Sequence, residues 1–318
     1  MLTIENLDVH FTSNGSGPPV TALEKASLKL GAGRTLALIG ESGSGKSILG
    51  LAVCGLLPSS ARVAGGIFFS GSNLLKLPRE KMRSLRGRRI AFVPQSAGLS
   101  LNPTMVCGCQ VSEIYLHRRG YARGKARVKA REILSRLGLL NSICTTHPHR
   151  LSGGMRQRVL VAMGLAGSPD ILIADEPTKG IDHSRRSDVI DMFVRLREKK
   201  PDMAMLLITH DLDLAEKVSD EVAVMYAGNI LECTPARRFF ETPLHPYSRA
   251  LMKALPERGL VPIPGTSPRP GTRPEGCVFH PRCIISSPEC LRCRPPERNM
   301  VVNGGDQGMV RCWRHARA

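Results

Sequence analysis

The stretch TLALIGESGSGKS (residues 35–47) passes from an apolar run directly into glycine, serine and a single lysine. Its second part, Gly40-Glu41-Ser42-Gly43-Ser44-Gly45-Lys46-Ser47, fits G-x-x-x-x-G-K-[ST] at every fixed position. The demand behind that pattern is physical. Backbone N–H groups must turn inward around an anion, which side chains beyond Cβ would obstruct. A helix must also begin there, so that its positive end faces the charge. The lysine then reaches the β- and γ-phosphates of a nucleotide, and the Ser47 hydroxyl can ligate Mg²⁺. The flanks agree, because TLALI reads as a strand and SILGLAVCGLL (residues 47–57) as a helix.

Composition bounds what surrounds this loop. The chain has 318 residues, enough for one large domain and a smaller one. Its 42% hydrophobic content and mean hydropathy of −0.10 fit a soluble globular protein. No apolar run approaches the length of a membrane span, and MLTIENLDVHF at the start lacks the basic and apolar parts of an export signal. A cytoplasmic location follows as the expectation. The net charge of +18 asks for an anionic partner: nucleotide, nucleic acid or an anionic lipid surface. It gathers in patches such as KLPREKMRSLRGRR (residues 76–89) and RRGYARGKARVKAR (residues 118–131). Only 4% of residues are aromatic, so platforms for stacking bases are few and nucleic acid ranks below nucleotide.

Along the chain, TLALIG, IAFVPQ (residues 90–95), ILIADE (residues 171–176) and MLLITH (residues 205–210) are apolar on both faces. Buried parallel strands read this way, with room between them for crossover helices, so the fold class is α/β. A helical pattern, including KAREILSRLGLL (residues 129–140), fills the space between Gln95 and Leu151 as an insertion. The Pro-rich piece LVPIPGTSPRPGTRPEG (residues 260–276) reads as an extended connector within a small accessory domain that starts at about residue 236.

Asp175-Glu176 closes the run DILIADEP. A carboxylate at the end of a buried strand suits water-mediated Mg²⁺ binding by Asp175, and Glu176 is placed to polarise an attacking water. The segment LSGGMRQR (residues 151–158) then puts a Ser-Gly-Gly turn at a helix start. Together these motifs resemble the ATP-binding cassette family, the ATPase subunits of ABC transporters, over nearly the whole chain. The resemblance implies a P-loop NTPase core: a RecA-like sheet plus an antiparallel β subdomain, with a helical subdomain inserted at about 96–165. The nucleotide-binding domain would occupy 1–235, and a small Cys-rich domain 236–318.

The resemblance also implies roles. ATP would lie on Gly40, Glu41, Ser42, Gly43, Ser44, Gly45, Lys46 and Ser47, with Phe11 under the adenine. Ser152, Gly153 and Gly154 match the signature loop that binds the γ-phosphate of ATP held by an opposite subunit. Gln95 matches the Q-loop, which touches Mg²⁺ and the water, and Asp182 matches the D-loop at the dimer seam. His210 matches the switch histidine at the γ-phosphate. Ser47, Gln95 and Asp175 are the implied Mg²⁺ positions. Here the D-loop reads Lys179-Gly180-Ile181-Asp182 rather than the commoner SALD or TALD form.

The tail points to a branch. HPYSRALMKALP (residues 245–256), IPG (residues 263–265) and GCVFHPRC (residues 276–283) resemble the oligopeptide, dipeptide and nickel importer ATPases. Implied partners are a second ABC ATPase subunit (a paralogue by branch habit, or a second copy), two permease subunits and an extracytoplasmic binding protein. The place implied is the cytoplasmic membrane face. The rival reading is a soluble ABC-type ATPase acting on nucleic acid or ribosomes; the basic patches favour it slightly, and the single phosphate loop opposes it. Of ten cysteines, Cys54, Cys107, Cys109, Cys144 and Cys233 are scattered and read as small core residues. The others space as C-x5-C-x6-C-x2-C plus Cys312. Some relatives carry a [4Fe–4S] cluster here, which would match Cys277, Cys283, Cys290 and Cys312, with Cys293 as the alternative ligand and zinc as the alternative metal. His280 is a weaker ligand candidate.

Overall fold

The computed structural model describes residues 1–12, 19–268, 272–301 and 307–316. Arg269, Pro270 and Gly271 of the Pro-rich connector lie outside the described residues. The strands run in chain order as β1 (Leu2–Phe11), β2 (Val20–Leu30), β3 (Thr35–Ile39), β4 (Ala61–Phe69), β5 (Ser72–Asn73), β6 (Ile90–Val93), β7 (Ile171–Asp175), β8 (Ala204–Thr209), β9 (Glu221–Tyr226), β10 (Asn229–Pro235), β11 (Arg298–Val301) and β12 (Gln307–Val310). The chain forms two compact units: Met1–Lys29, Leu36–Leu75 and Ser219–Ala318 make one, and Leu30–Thr35 with Lys76–Val218 make the other.

In the first unit, β2-β1-β4-β5 form a sheet in which β1 and β4 run antiparallel. Alternating burial along β1 and β2 gives that sheet one core face. A second set of strands runs β11-β12-β10-β9-β3, with β3 and β9 parallel and the remaining pairs antiparallel. The C-terminal strands therefore extend the same hydrogen-bonded ladder that carries β3, the strand leading into the glycine loop. All residues of β3 are buried, as the apolar run predicts. The helix after the loop, Lys46–Val53, is shorter than SILGLAVCGLL suggests, because Gly55 takes a positive φ of 59° and Pro58 follows.

In the second unit, β6, β7 and β8 form a parallel ladder, with every residue of β7 and β8 buried. Helices Cys107–Arg119, Arg123–Arg136 and Gly153–Ala166 make up the helical insertion. Their apolar sides (Val111, Ala130, Leu134, Val159) join Phe193 and β7 in one core cluster. The helix Gly153–Ala166 lies close on the ladder at Gly164, where a Cβ would stand 3.1 Å from Val93 and 3.2 Å from Leu172. That close approach fixes the direction of the helix, and hence where its first turn points.

Candidate functional site

Residues expected to hold nucleotide fall into two groups, one in each unit. In the first unit, β3 ends at Ile39 and the loop turns on glycines that a side chain would not tolerate. Gly40 has φ 151°, and a Cβ there would stand 2.1 Å from the Met225 carbonyl. Gly45, at φ 107°, is the left-handed residue preceding the helix Lys46–Val53. That helix has neither a side-chain cap nor an acidic residue in its first turn, so its leading N–H groups and positive end are left for an anion. Lys46 is buried, and its ammonium donates to the Gly40 carbonyl (2.7 Å) and the Glu41 carbonyl (3.0 Å). The ammonium is thus held inside the loop, on neutral acceptors that phosphate oxygens outcompete. The hydroxyl Oγ of Ser44 is buried without a hydrogen-bond partner, an arrangement that a phosphate oxygen entering the loop would relieve. Phe11 closes β1 opposite Ala61.

The second unit carries the acidic pair and the histidine expected to be the switch. Asp175 ends β7 and is 4% exposed. Glu176 follows at φ 48°, a strained setting for a side chain longer than asparagine, pinned by its N–H donating to the Ile208 carbonyl at 2.7 Å. Its Oε2 lies 2.6 Å from Nδ1 of His210 and also accepts the His210 backbone N–H at 3.3 Å. The expected base and the expected switch histidine are therefore already bonded at the ends of neighbouring strands. Asp211, the next residue, is buried and paired with Arg186 of the helix His183–Lys199. Burial alone would raise its pKa, but hydrogen bonds from Arg186, the Leu214 N–H and Thr178 hold the carboxyl below the usual range. Gln95 sits just past β6 and is half-buried.

The Ser-Gly-Gly turn occupies the helix start its sequence predicts. Ser152 caps the helix Gly153–Ala166 and accepts the Met155 N–H at 3.3 Å. A Cβ on Gly153 would stand 3.1 Å from the Gly180 carbonyl, and one on Gly154 would stand 4.0 Å from Ile181. Gly180 and Ile181, in the segment expected to be the D-loop, therefore pack directly on Gly153 and Gly154, the expected signature glycines. Asp182 precedes the helix His183–Lys199 as its N-cap.

Cys277, Cys283, Cys290 and Cys312 line one cavity of about 140 Å³ in the first unit, together with His245 and His280, whereas Cys293 is exposed and lies outside it. Burial pushes the Cys277 thiol up to about 11, and the neighbouring thiols of Cys290, Cys312 and Cys283 add to the shift. Mutual repulsion of this kind is relieved when a metal holds the thiolates. Among the described residues, no group of three or more His, Cys, Asp and Glu is arranged to hold a metal ion. His280 uses Nδ1 on the Cys277 carbonyl at 2.9 Å.

The HPY stretch (residues 245–247) does structural work that its local sequence does not signal. Glu232 is buried and accepts the N–H groups of Leu244 (2.9 Å) and His245 (2.7 Å). His245 in turn accepts the Tyr247 N–H on Nδ1 at 3.0 Å. Burial, with His315 nearby, pushes the His245 pKa down to about 3, so the ring stays neutral and its Nδ1 remains an acceptor at physiological pH.

Known proteins resemble this chain over most of its length. Residues 23–179 match the family model described as "ABC transporter", and residues 231–290 match "Oligopeptide/dipeptide transporter, C-terminal region". The chain is 36% identical to the dipeptide transport ATP-binding protein DppD of Escherichia coli (strain K12), covering 96% of this chain and 94% of that one. It is 38% identical to the oligopeptide transport ATP-binding protein OppD of Haemophilus influenzae, covering 91% of each. A solved dimeric ATP-binding cassette in a post-hydrolysis state, bound to ADP and Pi, shares the fold at TM-score 0.66 and 24% identity, over 74% of this chain and 99% of its own. The chain belongs to the ABC-transporter ATPases, in the family whose cassette continues into an oligopeptide/dipeptide transporter C-terminal region.

Proposed function

We propose that the chain is the ATP-hydrolysing subunit that energises import of di- or oligopeptides through an ABC transporter. One observation carries the reading: a cassette with phosphate loop and signature turn runs on into the transporter-type C-terminal region. Relatives over nearly the full length are named dipeptide and oligopeptide transport ATP-binding proteins. Nickel or its chelates are the alternative cargo, since permeases and binding protein select what is carried. Among the described residues no helix is long and apolar enough to cross a membrane. Attachment to the cytoplasmic face would therefore come through two permease subunits, with a binding protein on the far side.

In this reading ATP rests on the Gly40–Ser47 loop with Phe11 at the adenine, and Lys46 leaves the loop carbonyls for the β- and γ-phosphates. Mg²⁺ held by Ser47, Gln95 and Asp175 would neutralise phosphate charge. The Ser152-Gly153-Gly154 turn of a second subunit covers the γ-phosphate, with Asp182 at the seam, so hydrolysis needs a pair: a paralogue, or a second copy of this chain. Glu176 polarises the water. When His210 turns to the γ-phosphate, the Glu176 carboxylate it now occupies is released for that task.

Affinity capture of the full chain from detergent-solubilised membranes tests the assignment. Two permease subunits and a second ATPase are the expected companions, and labelled dipeptide uptake stops when the gene is deleted. Recovery of ribosomes or DNA without permeases would replace this reading with a soluble ATPase.

For the tail, the reading is a [4Fe–4S] cluster on Cys277, Cys283, Cys290 and Cys312, with zinc the alternative. Four thiols around one cavity and an excluded Cys293 support that ligand set. The cluster would staple a segment rich in Pro and Arg. Anaerobic purification followed by metal and sulfide analysis should give about four iron and four sulfide per chain. Cys293→Ser should keep them and Cys277→Ser lose them. A folded, metal-free protein ends the cluster proposal.

A further inference from the structure

The phosphate loop contains a carboxylate, Glu41, at its second position. An unpaired anion there opposes any triphosphate the loop receives, and in a half-buried setting water screens it poorly. The side chain is 27% exposed, and its Oε2 meets Nη1 of Arg282 at 2.8 Å. Arg282 comes from GCVFHPRC in the tail, 241 positions away, and its own side chain is 6% exposed. The rest of the guanidinium is spoken for within the first unit. Nε donates to the Pro264 carbonyl (2.8 Å), Nη1 also to the Tyr226 hydroxyl (3.3 Å), and Nη2 to the Ile263 carbonyl (3.5 Å). A side chain held at this many points is a fixed charge rather than a passing surface partner.

Two further ties act on the same loop. The fully buried Tyr247, of the HPY motif, accepts the Glu41 backbone N–H on its hydroxyl at 3.0 Å. Two residues after Tyr226, the Gly228 N–H donates to the Ser44 carbonyl at 2.8 Å. Tyr226, Tyr247 and Phe279 pack against one another with ring centroids 4.7, 5.4 and 5.1 Å apart, which sets both tyrosines relative to Arg282. The tail thus grips the loop at Glu41 by backbone and side chain together.

We propose that Arg282 is a positioning residue of the nucleotide site: it neutralises and fixes Glu41, so that the C-terminal module sets the affinity of the phosphate loop for a nucleoside triphosphate. This rests on the reading that the Gly40–Ser47 loop binds ATP. The two sequence features involved, a glutamate inside the loop and an arginine next to Cys283, are then halves of one device.

The test is a titration of the purified full chain with a fluorescent ATP analogue. Arg282→Ala should weaken binding by about tenfold, since it leaves Glu41 charged and unpaired beside the phosphates. Adding Glu41→Gln to that variant should restore affinity to within about twofold, which a packing role for Arg282 would not allow. Unchanged affinity in Arg282→Ala, or no rescue in the double variant, overturns the proposal. If Arg282→Ala does not fold, Glu41→Gln alone decides: binding equal to or tighter than the parent supports the proposal, and weaker binding sinks it. Lys46→Ala separates the underlying reading. If that variant binds like the parent, the loop is not the phosphate site; if it loses binding and Arg282→Ala does not, only the present inference fails.

Discussion

Glu176→Gln should keep ATP bound and lose turnover, with kcat falling about 10²–10⁴-fold. The substitution keeps size and most hydrogen bonding. The backbone N–H bond to Ile208 is untouched, and the amide oxygen can still accept the His210 N–H that Oε2 now accepts at 3.3 Å. What disappears is the charge and the basicity. A carboxylate held at φ 48° on the end of a buried strand is oriented at a cost in backbone strain, and the cost is intelligible if the orientation serves a water molecule. The measurement is phosphate release at saturating ATP, alongside size-exclusion chromatography with ATP present. ATP should then hold the variant in an associated form, because the step that reopens the pair is missing. Hydrolysis at the parent rate would move the base elsewhere in the chain.

How much of this was legible beforehand depends on the range over which each feature is determined. The strands were readable because a run apolar on both faces has few other stable places, and β3, β7 and β8 are buried at every residue. The glycine turn before Lys46 and the Ser-Gly-Gly helix start were readable for a related reason: glycine spacing and a helix start are local, and local chemistry fixes them. The end of the helix Lys46–Val53 was less so, because Gly55 competes with an otherwise helical apolar run. Long-range pairs left no trace in any window. Arg282 and Glu41, or Arg186 and Asp211, look like ordinary surface charges until the fold brings them together. The packing of Gly153 against Gly180 is of the same kind, and it makes the Lys179-Gly180-Ile181 stretch a steric partner of the Ser-Gly-Gly turn. Spacing also could not tell the five tail cysteines apart, whereas exposure of Cys293 separates it from the four that line a common cavity.

Lys46→Ala should weaken ATP binding on the order of 100-fold or more, the scale seen when one member of a buried charge-assisted pair is truncated. Without nucleotide, the ammonium satisfies two loop carbonyls, Gly40 at 2.7 Å and Glu41 at 3.0 Å. Both bonds are to neutral carbonyls, and the loss of each should cost on the order of 1–3 kcal/mol of folding stability, which a melting curve reads separately from binding. The larger effect comes in the complex, where the departing group was the charge that met the phosphates. Lys46→Arg should rescue little, because a planar fork does not fit a space shaped for a compact ammonium between Gly40 and Glu41. Titration with a fluorescent ATP analogue, with a melting curve for each variant, separates affinity from folding. A parent-like affinity in Lys46→Ala would show that the glycines of residues 40–45 cradle something other than a nucleotide triphosphate, and the case for Glu176 as the water-polarising group would fall with it.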